Sequence, residues 1–247
     1  MKVLLAGESH IRTQTDAKGV DSFTQTFYME EAHFIRDALK TEDIEMEHMS
    51  SHLVPDRFPF SVEDLKQYDT VMISDVGANS FTLGPATTIL QEIVPNRLQV
   101  LEEYVKQGGG FCMIGGYLTF MGFEGKGAYH GTAIEKMLPV EMMNGDDRNE
   151  TPEGAYIEIE QPQHPIFLGF PAKWPPFLGY NKLKAKPGTL LASHDGNAFI
   201  SVWDYGQGRS MAFASDCAPH WAPKGFLSWE YYSKFWCNAV RYLAKKL

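Results

Sequence analysis

Polar and aromatic side chains follow four apolar runs of this sequence, and their types suit acid–base chemistry on a small polar ligand. Carboxylates and imidazoles transfer protons, and aromatic rings pack on the apolar faces of such ligands. We predict a catalytic set made up of Glu8, His10, Asp216 and His220. The predicted ligand-binding set is made up of Asp75, Asn79, Gly115, Gly116, Tyr117 and Trp221.

Several of these residues also have a purely structural interpretation. Asp75 could cap a turn, and Glu8 with His10 could form a solvated pair. His220 could fix the loop after Pro219, and Trp221 could serve packing alone. We favour the functional interpretation because four strand ends contribute polar residues together.

The three cysteines, Cys112, Cys217 and Cys237, lack the paired spacing of a disulfide or zinc framework. A nucleophilic thiolate needs a neighbouring base. Cys217 lies three residues before His220, so a thiol-dependent hydrolase or amidase is the alternative function. Cys112 is expected inside a strand, and Cys237 on the last helix, where both would serve packing.

Metal binding is the remaining chemical possibility for the same residues. His10, Asp75, Asp216 and His220 are acceptable ligand types, but no spacing places two of them on one element. We therefore predict neither a metal nor another cofactor.

The elements that must position these residues alternate between strands and helices in the first half. Short apolar runs at 2–6, 44–49, 70–74 and 111–114 predict buried parallel strands. The intervening periodicity predicts helices, one of them beginning at a capping box of Ser22 and Gln25 and continuing through Phe27 and Leu39. Another spans 96–107, and the last, capped by Ser228, buries Tyr232, Phe235, Trp236, Ala239, Val240 and Leu243.

The second half contains short runs between turn signals, which predict antiparallel strands. The expected fold is thus α/β: a flavodoxin-like, doubly wound, mostly parallel sheet with helices on both faces and an antiparallel C-terminal extension. We predict one domain over residues 1–247. In such sheets ligands bind beyond the carboxyl ends of the strands, which is where the candidate residues lie.

Composition narrows the expected partners. The net charge is −9 and the sequence pI about 5.4, which argues against nucleic-acid binding. No run approaches the ~18 apolar residues of a membrane span, and the N-terminal apolar run is too short for a signal peptide. We expect a cytoplasmic protein whose partner is a small-molecule ligand, with no nucleic acid and no membrane.

Four segments resemble the class I glutamine amidotransferase-like superfamily, in the branch of putative amidotransferases related to trehalose-utilisation (ThuA-like) proteins. They are residues 4–10, 108–117, 129–140 and 215–221. The resemblance implies a flavodoxin-like fold with a cleft above the strand ends. Active members carry a cysteine at the elbow after the strand matching 111–114, and a His-x-Glu pair after a late strand.

The sequence departs from that catalytic pattern at both places. Gly115, Gly116 and Tyr117 occupy the elbow, and His220 is followed by Trp221 and Ala222 instead of reaching a glutamate. We therefore expect an amidotransferase-like protein without glutaminase activity that binds or transforms a small sugar- or polyol-like metabolite. A non-catalytic homo-oligomeric binding protein is a further alternative, with the loop carrying Phe120, Met121, Phe123 and Tyr129 as the subunit interface.

Overall fold

A computed structural model describes all residues, 1–247, and contains fourteen strands. They are β1 (Lys2–Gly7), β2 (Ser9–Lys18), β3 (Asp21–Glu30), β4 (Glu45–Met49), β5 (Thr70–Ser74), β6 (Gly110–Ile114), β7 (Val140–Met142), β8 (Arg148–Ala155), β9 (Glu158–Ile159), β10 (Phe177–Asn181), β11 (Leu183–Ala185), β12 (Leu190–His194), β13 (Asn197–Tyr205) and β14 (Gly208–Phe213). The α-helices are α1 (His33–Lys40), α2 (Val54–Arg57), α3 (Val62–Leu65), α4 (Asn79–Thr82), α5 (Pro85–Thr88), α6 (Arg97–Lys106), α7 (Ala133–Met137), α8 (Lys224–Leu227) and α9 (Tyr232–Leu243).

Eight of the strands form one sheet in the order β4-β1-β5-β6-β14-β13-β12-β9. Neighbours from β4 to β14 are parallel, and the pairs from β14 to β9 are antiparallel. Helices α1 and α9 pack together, and α6 packs with α3, α4 and α7. The predicted α/β class, the flavodoxin-like sheet and the antiparallel C-terminal extension are confirmed.

The central strands are buried along their whole length because helices cover both faces of the sheet. Every residue of β5 and β6 is buried, and Cys112 lies within β6 as expected. A two-residue loop, Gly206 and Gln207, joins the antiparallel strands β13 and β14. None of the helices is long and apolar enough to cross a membrane.

The predicted helix beginning at Ser22 is wrong in its first half. Residues 9–30 instead form an antiparallel hairpin of β2 and β3, paired without interruption from Ser9–Glu30 to Lys18–Asp21. Alternating threonines on both strands favour extended backbone because their branched Cβ suits a pleated sheet. Gly19, at φ +65°, supplies the turn. The helix itself, α1, begins only at His33 and buries Ile35, Ala38 and Leu39.

The last helix begins later than predicted. The first residue of α9 is Tyr232, not Ser228, because the separate helix α8 ends just before Ser228. The predicted buried face of this last helix is confirmed.

The rings of Phe120 and Tyr129 are fully buried, and the Tyr129 hydroxyl donates to the Val76 carbonyl at 2.6 Å. Phe120 and Tyr129 thus belong to the core, whereas Met121 and Phe123 remain partly exposed, and the subunit interface at this loop stays a prediction.

Candidate functional site

A cavity of about 640 Å³ opens where β1 and β5 end and where the chain leaves β14. Six of the ten predicted site residues line it: Glu8, His10, Asp75, Tyr117, Asp216 and His220. The sequence did not single out other polar groups of the wall, among them Arg12, Glu31, Ser51, His52 and Ser80. The ends of the strands thus mark the position of the cavity, whereas other segments supply the rest of its lining.

Glu8 lies on the cavity floor because β1 and β5 end very close to each other. A Cβ atom on Gly7 would lie 1.7 Å from the Ser74 carbonyl oxygen, so only glycine allows β1 and β5 to end so near each other. Glu8 then adopts φ +50°, which is unusual for a residue with a side chain. Its carboxylate, 5% exposed, accepts hydrogen bonds from the Ser74 hydroxyl (2.5 Å) and the Cys217 thiol (3.4 Å).

Asp75 directly follows β5 and adopts the same left-handed backbone conformation as Glu8, at φ +48°. Its Oδ1 accepts the backbone N–H of Leu118 at 2.9 Å. A Cβ atom on Gly116 would lie 2.3 Å from that same oxygen. The glycine after β6 therefore makes room for the Asp75 carboxylate.

Gly115 and Gly116 do not line the cavity, although the sequence placed them in the ligand-binding set. A Cβ atom on Gly115 would lie 2.2 Å from the Ala214 carbonyl oxygen of the adjacent strand segment. The Asn181 side chain accepts the N–H of Gly116 at 3.0 Å and donates to its carbonyl at 3.2 Å. Both glycines therefore serve close backbone packing beneath the site.

His220 is oriented by three neighbours. Its Nδ1 lies 3.6 Å from Oδ2 of Asp216, which is 2% exposed and also accepts the Ala218 N–H. The imidazole meets the Tyr117 ring edge-on, with centroids 4.2 Å apart, and stacks on Trp221. About a third of the His220 side chain remains exposed to the cavity.

Trp221 and Asn79 do not form part of the cavity wall. Trp221 is buried, and its Nε1 donates to Glu150 at 3.0 Å, while the Tyr117 hydroxyl donates to the other oxygen of Glu150. Trp221 thus supports His220 from behind. Asn79 is exposed on α4.

Three carboxyl groups share the cavity floor and disfavour one another's ionisation. Burial raises the pKa of Glu8 well above its usual value, and the charges of Asp216 and Asp75 raise it further. Burial and the nearby Asp75 do the same to Asp216. Burial also raises the pKa of Asp75, although the N–H groups of Leu118 and Tyr117 and the nearby His220 oppose the change. Such a cluster retains protons at a pH where isolated carboxyls are ionised.

Cys217 lies beneath this floor and has the properties of a neutral thiol. It is fully buried; burial, with the charges of Glu8 and Asp216, raises its pKa well above the usual value. No hydrogen bond joins it to His220, whose Nδ1 faces Asp216 instead. Ligand atoms of Glu8, Asp216 and Cys217 lie within 4.8 Å of one another, but the thiol already donates to Glu8.

A buried aspartate that the sequence analysis missed holds the loop after β6. Asp147 is fully buried and accepts the N–H groups of Met121 (3.0 Å) and Gly122 (2.7 Å), and an N–H of the Asn181 side chain. Since Asn181 also holds Gly116, the chain around Tyr117 is fixed by two side chains. No local pattern marks these residues, because their partners lie 25 to 65 positions away.

Comparison with known proteins agrees with this architecture. Residues 2–245 match the family described as Putative glutamine amidotransferase, and the chain belongs to that family. No curated protein matches the chain. Cytoplasmic protein STM3548 from Salmonella typhimurium has a similar structure, with a TM-score of 0.94, 40% identity and coverage of 98% of this chain and 99% of that one.

Two further structures are similar. Cytoplasmic protein STM1381 from Salmonella typhimurium LT2 gives a TM-score of 0.93 at 42% identity, covering 98% and 99% of the two chains. A putative ThuA-like protein from Parabacteroides merdae shares the fold, with a TM-score of 0.55 at 13% identity over 98% of this chain and 89% of that one. The resemblance to the family of putative glutamine amidotransferases is confirmed, and the fold is shared with a putative ThuA-like protein.

Proposed function

We propose that this member of the amidotransferase-like family binds a small polyhydroxylated metabolite, of the sugar or polyol class, and does not hydrolyse glutamine. The observation that carries the proposal is the convergence of Glu8, Asp75 and Asp216 with His10 and His220 on one cavity. A volume of about 640 Å³ lies within the range of small-molecule sites.

The chemistry of the wall favours a ligand rich in hydroxyl groups. Carboxylates accept hydrogen bonds from hydroxyls, and protonated carboxyls, Arg12 and the serines donate to them. Tyr117 and His220 place aromatic rings at the same wall, against which the apolar face of a sugar ring packs. With positive and negative groups both present, a neutral polar ligand meets a partner for each of its hydroxyls.

Proton transfer to the bound metabolite is the activity that the electrostatics favour. Glu8, whose raised pKa keeps it protonated at higher pH than usual, is the proton donor in this proposal. His220, oriented by Asp216, is the proton acceptor. Hydrolysis of glutamine through a thiolate has no support, since Cys112 is buried in β6 and Cys217 beneath the floor. A cytoplasmic location fits the proposal, because two similar structures are named cytoplasmic proteins.

Thermal shift and calorimetry with a panel of sugars, polyols and sugar acids test the proposal, with L-glutamine in a parallel arm. We expect at least one panel member to raise the melting temperature, and Asp216→Asn to weaken its binding at least tenfold. Glu45→Gln is the matched control. Glu45 is an exposed residue at the first position of β4, away from the cavity, and this variant should bind the ligand normally.

No stabilisation by any panel member would contradict the proposed ligand class. Release of ammonia from glutamine would contradict the absence of glutaminase activity. A ligand whose affinity is the same in Asp216→Asn and wild type would place the binding site outside the cavity.

A further inference from the structure

The two carboxyl oxygens of Glu8 have different surroundings. Oε2 accepts hydrogen bonds from the Ser74 hydroxyl at 2.5 Å and from the Cys217 thiol at 3.4 Å, whereas Oε1 has no hydrogen-bond partner within the chain. The polar side-chain atoms that are both unpartnered and closed to solvent belong to other residues, namely Thr70, Thr119, Trp174, Ser201 and Trp236. Oε1 of Glu8 is therefore open to solvent, although the residue as a whole is only 5% exposed.

Ser74 and Cys217 direct Oε2 away from the cavity. Both residues are fully buried, and neither of them lines the cavity, whereas Glu8 does. Since Oε2 faces these two side chains, Oε1 is the oxygen of Glu8 that a ligand in the cavity can reach.

The two donors are themselves held by separate elements. Ser74 is the last residue of β5, an inner strand of the sheet. Cys217 follows β14, and its carbonyl accepts the hydroxyl of Tyr232, the first residue of α9, at 2.6 Å. Ser74 Oγ and Cys217 Sγ also touch each other, 3.7 Å apart. Because both side chains are enclosed, Glu8 meets them in one fixed arrangement.

Glu8 holds a proton more readily than the carboxyl group beside it. A carboxyl oxygen of Glu8 and one of Asp216 lie within 4.8 Å of each other, and like charges this close disfavour ionisation of both groups. Asp216 accepts the Ala218 N–H at 3.1 Å and lies 3.6 Å from the His220 imidazole, and both contacts favour its ionised form. The donors to Glu8 are an uncharged hydroxyl and a thiol, which is a weak donor. A proton shared by the two carboxyls therefore belongs chiefly to Glu8.

We propose that Ser74 and Cys217 are positioning residues, which hold Glu8 so that its acid proton lies on Oε1 and faces the bound metabolite. Oε2 already accepts two donors, so a proton on that oxygen would meet two other hydrogens, whereas Oε1 has room for it. When the Oε1–H bond breaks, the proton passes to an oxygen of the ligand and the electron pair stays on Glu8. Both hydrogen bonds to Oε2 are already in place to stabilise that carboxylate, and His220 takes up a proton from the ligand.

Cys217 thereby acquires a use as a neutral thiol instead of a nucleophile. A thiol donates a hydrogen bond only while it is protonated, and burial raises the pKa of Cys217 well above its usual value. The orientation of Glu8 depends only on contacts within the free protein. The identity of the proton acceptor, the metabolite, rests on the proposed function.

Carbon-13 NMR of the free protein labelled at glutamate Cδ measures the pKa of Glu8, whose signal is identified by its loss in Glu8→Gln. Ser74→Ala and Cys217→Ala each remove one donor to the ionised carboxyl. We expect both variants to raise the pKa of Glu8, Ser74→Ala by about 1 pH unit, because one hydrogen bond contributes about 1 kcal/mol. Cys217→Ser keeps a donor at the same place and should leave the pKa close to that of wild type.

Cys237→Ala is the matched control, because that buried thiol donates to the Ala38 carbonyl instead of Glu8. The pKa of Glu8 should be unchanged in this variant, and circular dichroism should match wild type throughout. Ser74→Ala retains the titratable groups that face Glu8, which are Asp75 after β5, Asp216 and Cys217 after β14, and Tyr232 on α9. A change in its pKa therefore reports the lost donor.

An unchanged pKa of Glu8 in both alanine variants would overturn the inference. An equal rise in Cys217→Ser and Cys217→Ala would overturn it as well, since packing alone would then explain the effect. Neither result depends on a ligand. The expected pKa changes, together with no binding by any panel sugar, would support the orientation of Glu8 and contradict the proposed ligand class.

Discussion

At the scale of single residues, the cavity floor keeps three carboxyl groups in places where none is readily ionised. Glu8 and Asp75 occupy left-handed backbone conformations, which cost free energy for residues with side chains. Burial and mutual repulsion then add an electrostatic cost. A site that retains both costs is expected to be selected for binding or catalysis more than for stability.

The first prediction concerns the pH dependence of folding. The pKa of Glu8 is raised in the folded state, so between its unfolded and folded pKa the folded protein binds more protons. The free energy of unfolding contributed by this group therefore falls as pH rises through that interval. Glu8→Gln removes the ionisable group. Compared with wild type at the same pH, the free energy of unfolding of this variant should be more favourable at pH 8 than at pH 5.

Urea denaturation at pH 5, 6.5 and 8 measures this difference between the variant and wild type. Asp75 and Asp216 remain, so the pH slope should shrink without disappearing. Glu45→Gln should keep the wild-type slope. An unchanged slope in Glu8→Gln would mean that Glu8 is ionised normally in the folded protein.

The second prediction concerns the thiols. Cys112, Cys217 and Cys237 are all buried, and burial raises the pKa of each. Since the thiolate is the reactive form, iodoacetamide at pH 7.5 should label the native protein at least a hundredfold more slowly than free cysteine. All three thiols should react in urea, as counted by mass spectrometry. Rapid native labelling of Cys217 would instead revive the thiol-dependent hydrolase.

At the scale of elements, a buried arginine joins two short helices to α6. Arg97, the first residue of α6, is 1% exposed and donates to the carbonyls of Phe81 (2.7 Å), Val54 (2.9 Å), Pro55 (3.1 Å) and Ser80 (3.2 Å). Val54 and Pro55 belong to α2, and Ser80 and Phe81 belong to α4. Pro55 and Ser80 also line the cavity, so Arg97 positions one of its walls without touching it.

The third prediction follows from this set of hydrogen bonds. Lysine has one nitrogen where arginine has a fork of three, so Arg97→Lys should leave buried carbonyls without a donor. We expect a loss of about 3 kcal/mol in the free energy of unfolding, measured by urea denaturation. Arg57→Lys, on the exposed surface of α2, should stay within about 0.5 kcal/mol of wild type. Equal stability of the two variants would show that water replaces the lost donors.

The elements differ in how far the sequence could predict them. β1, β5 and β6 are buried on both faces, so they appear as continuous apolar runs and were placed correctly. Strand β3 was mistaken for the start of a helix because Phe27 and Leu39 fit a helical period, whereas the alternating threonines carry the weaker signal of exposed strands. β3 places Phe23, Phe27 and Met29 on one face, but Gln25 interrupts the alternation and hides its period.

The residues of the candidate site were likewise only partly predictable from the sequence. Glu8, Asp75 and Asp216 could be found because parallel strands end at one edge of a sheet, which topology alone brings together. Trp221 and the two glycines were assigned to ligand contact because sequence position does not reveal which way a side chain points. Glu150, Asp147 and Asn181 were missed since their partners come from distant strands.

At the scale of the whole molecule, the hairpin of β2 and β3 and the cavity are continuous with each other. His10, Ile11 and Arg12 belong to the first residues of β2 and also line the cavity.

The protons retained on the cavity floor also change a property that is measured on the molecule as a whole. The formal charge of −9 and the pI of about 5.4 count every carboxyl as freely ionisable. The pKa values of Glu8 and Asp216 are raised well above their usual values. Both groups therefore carry less negative charge near the isoelectric point, and the native protein should focus at a higher pH than its sequence indicates. The unfolded protein should focus near 5.4. Isoelectric focusing with and without urea measures the difference, which Glu8→Gln together with Asp216→Asn should reduce. The electrophoretic behaviour of the intact protein thus reports on groups that solvent scarcely reaches.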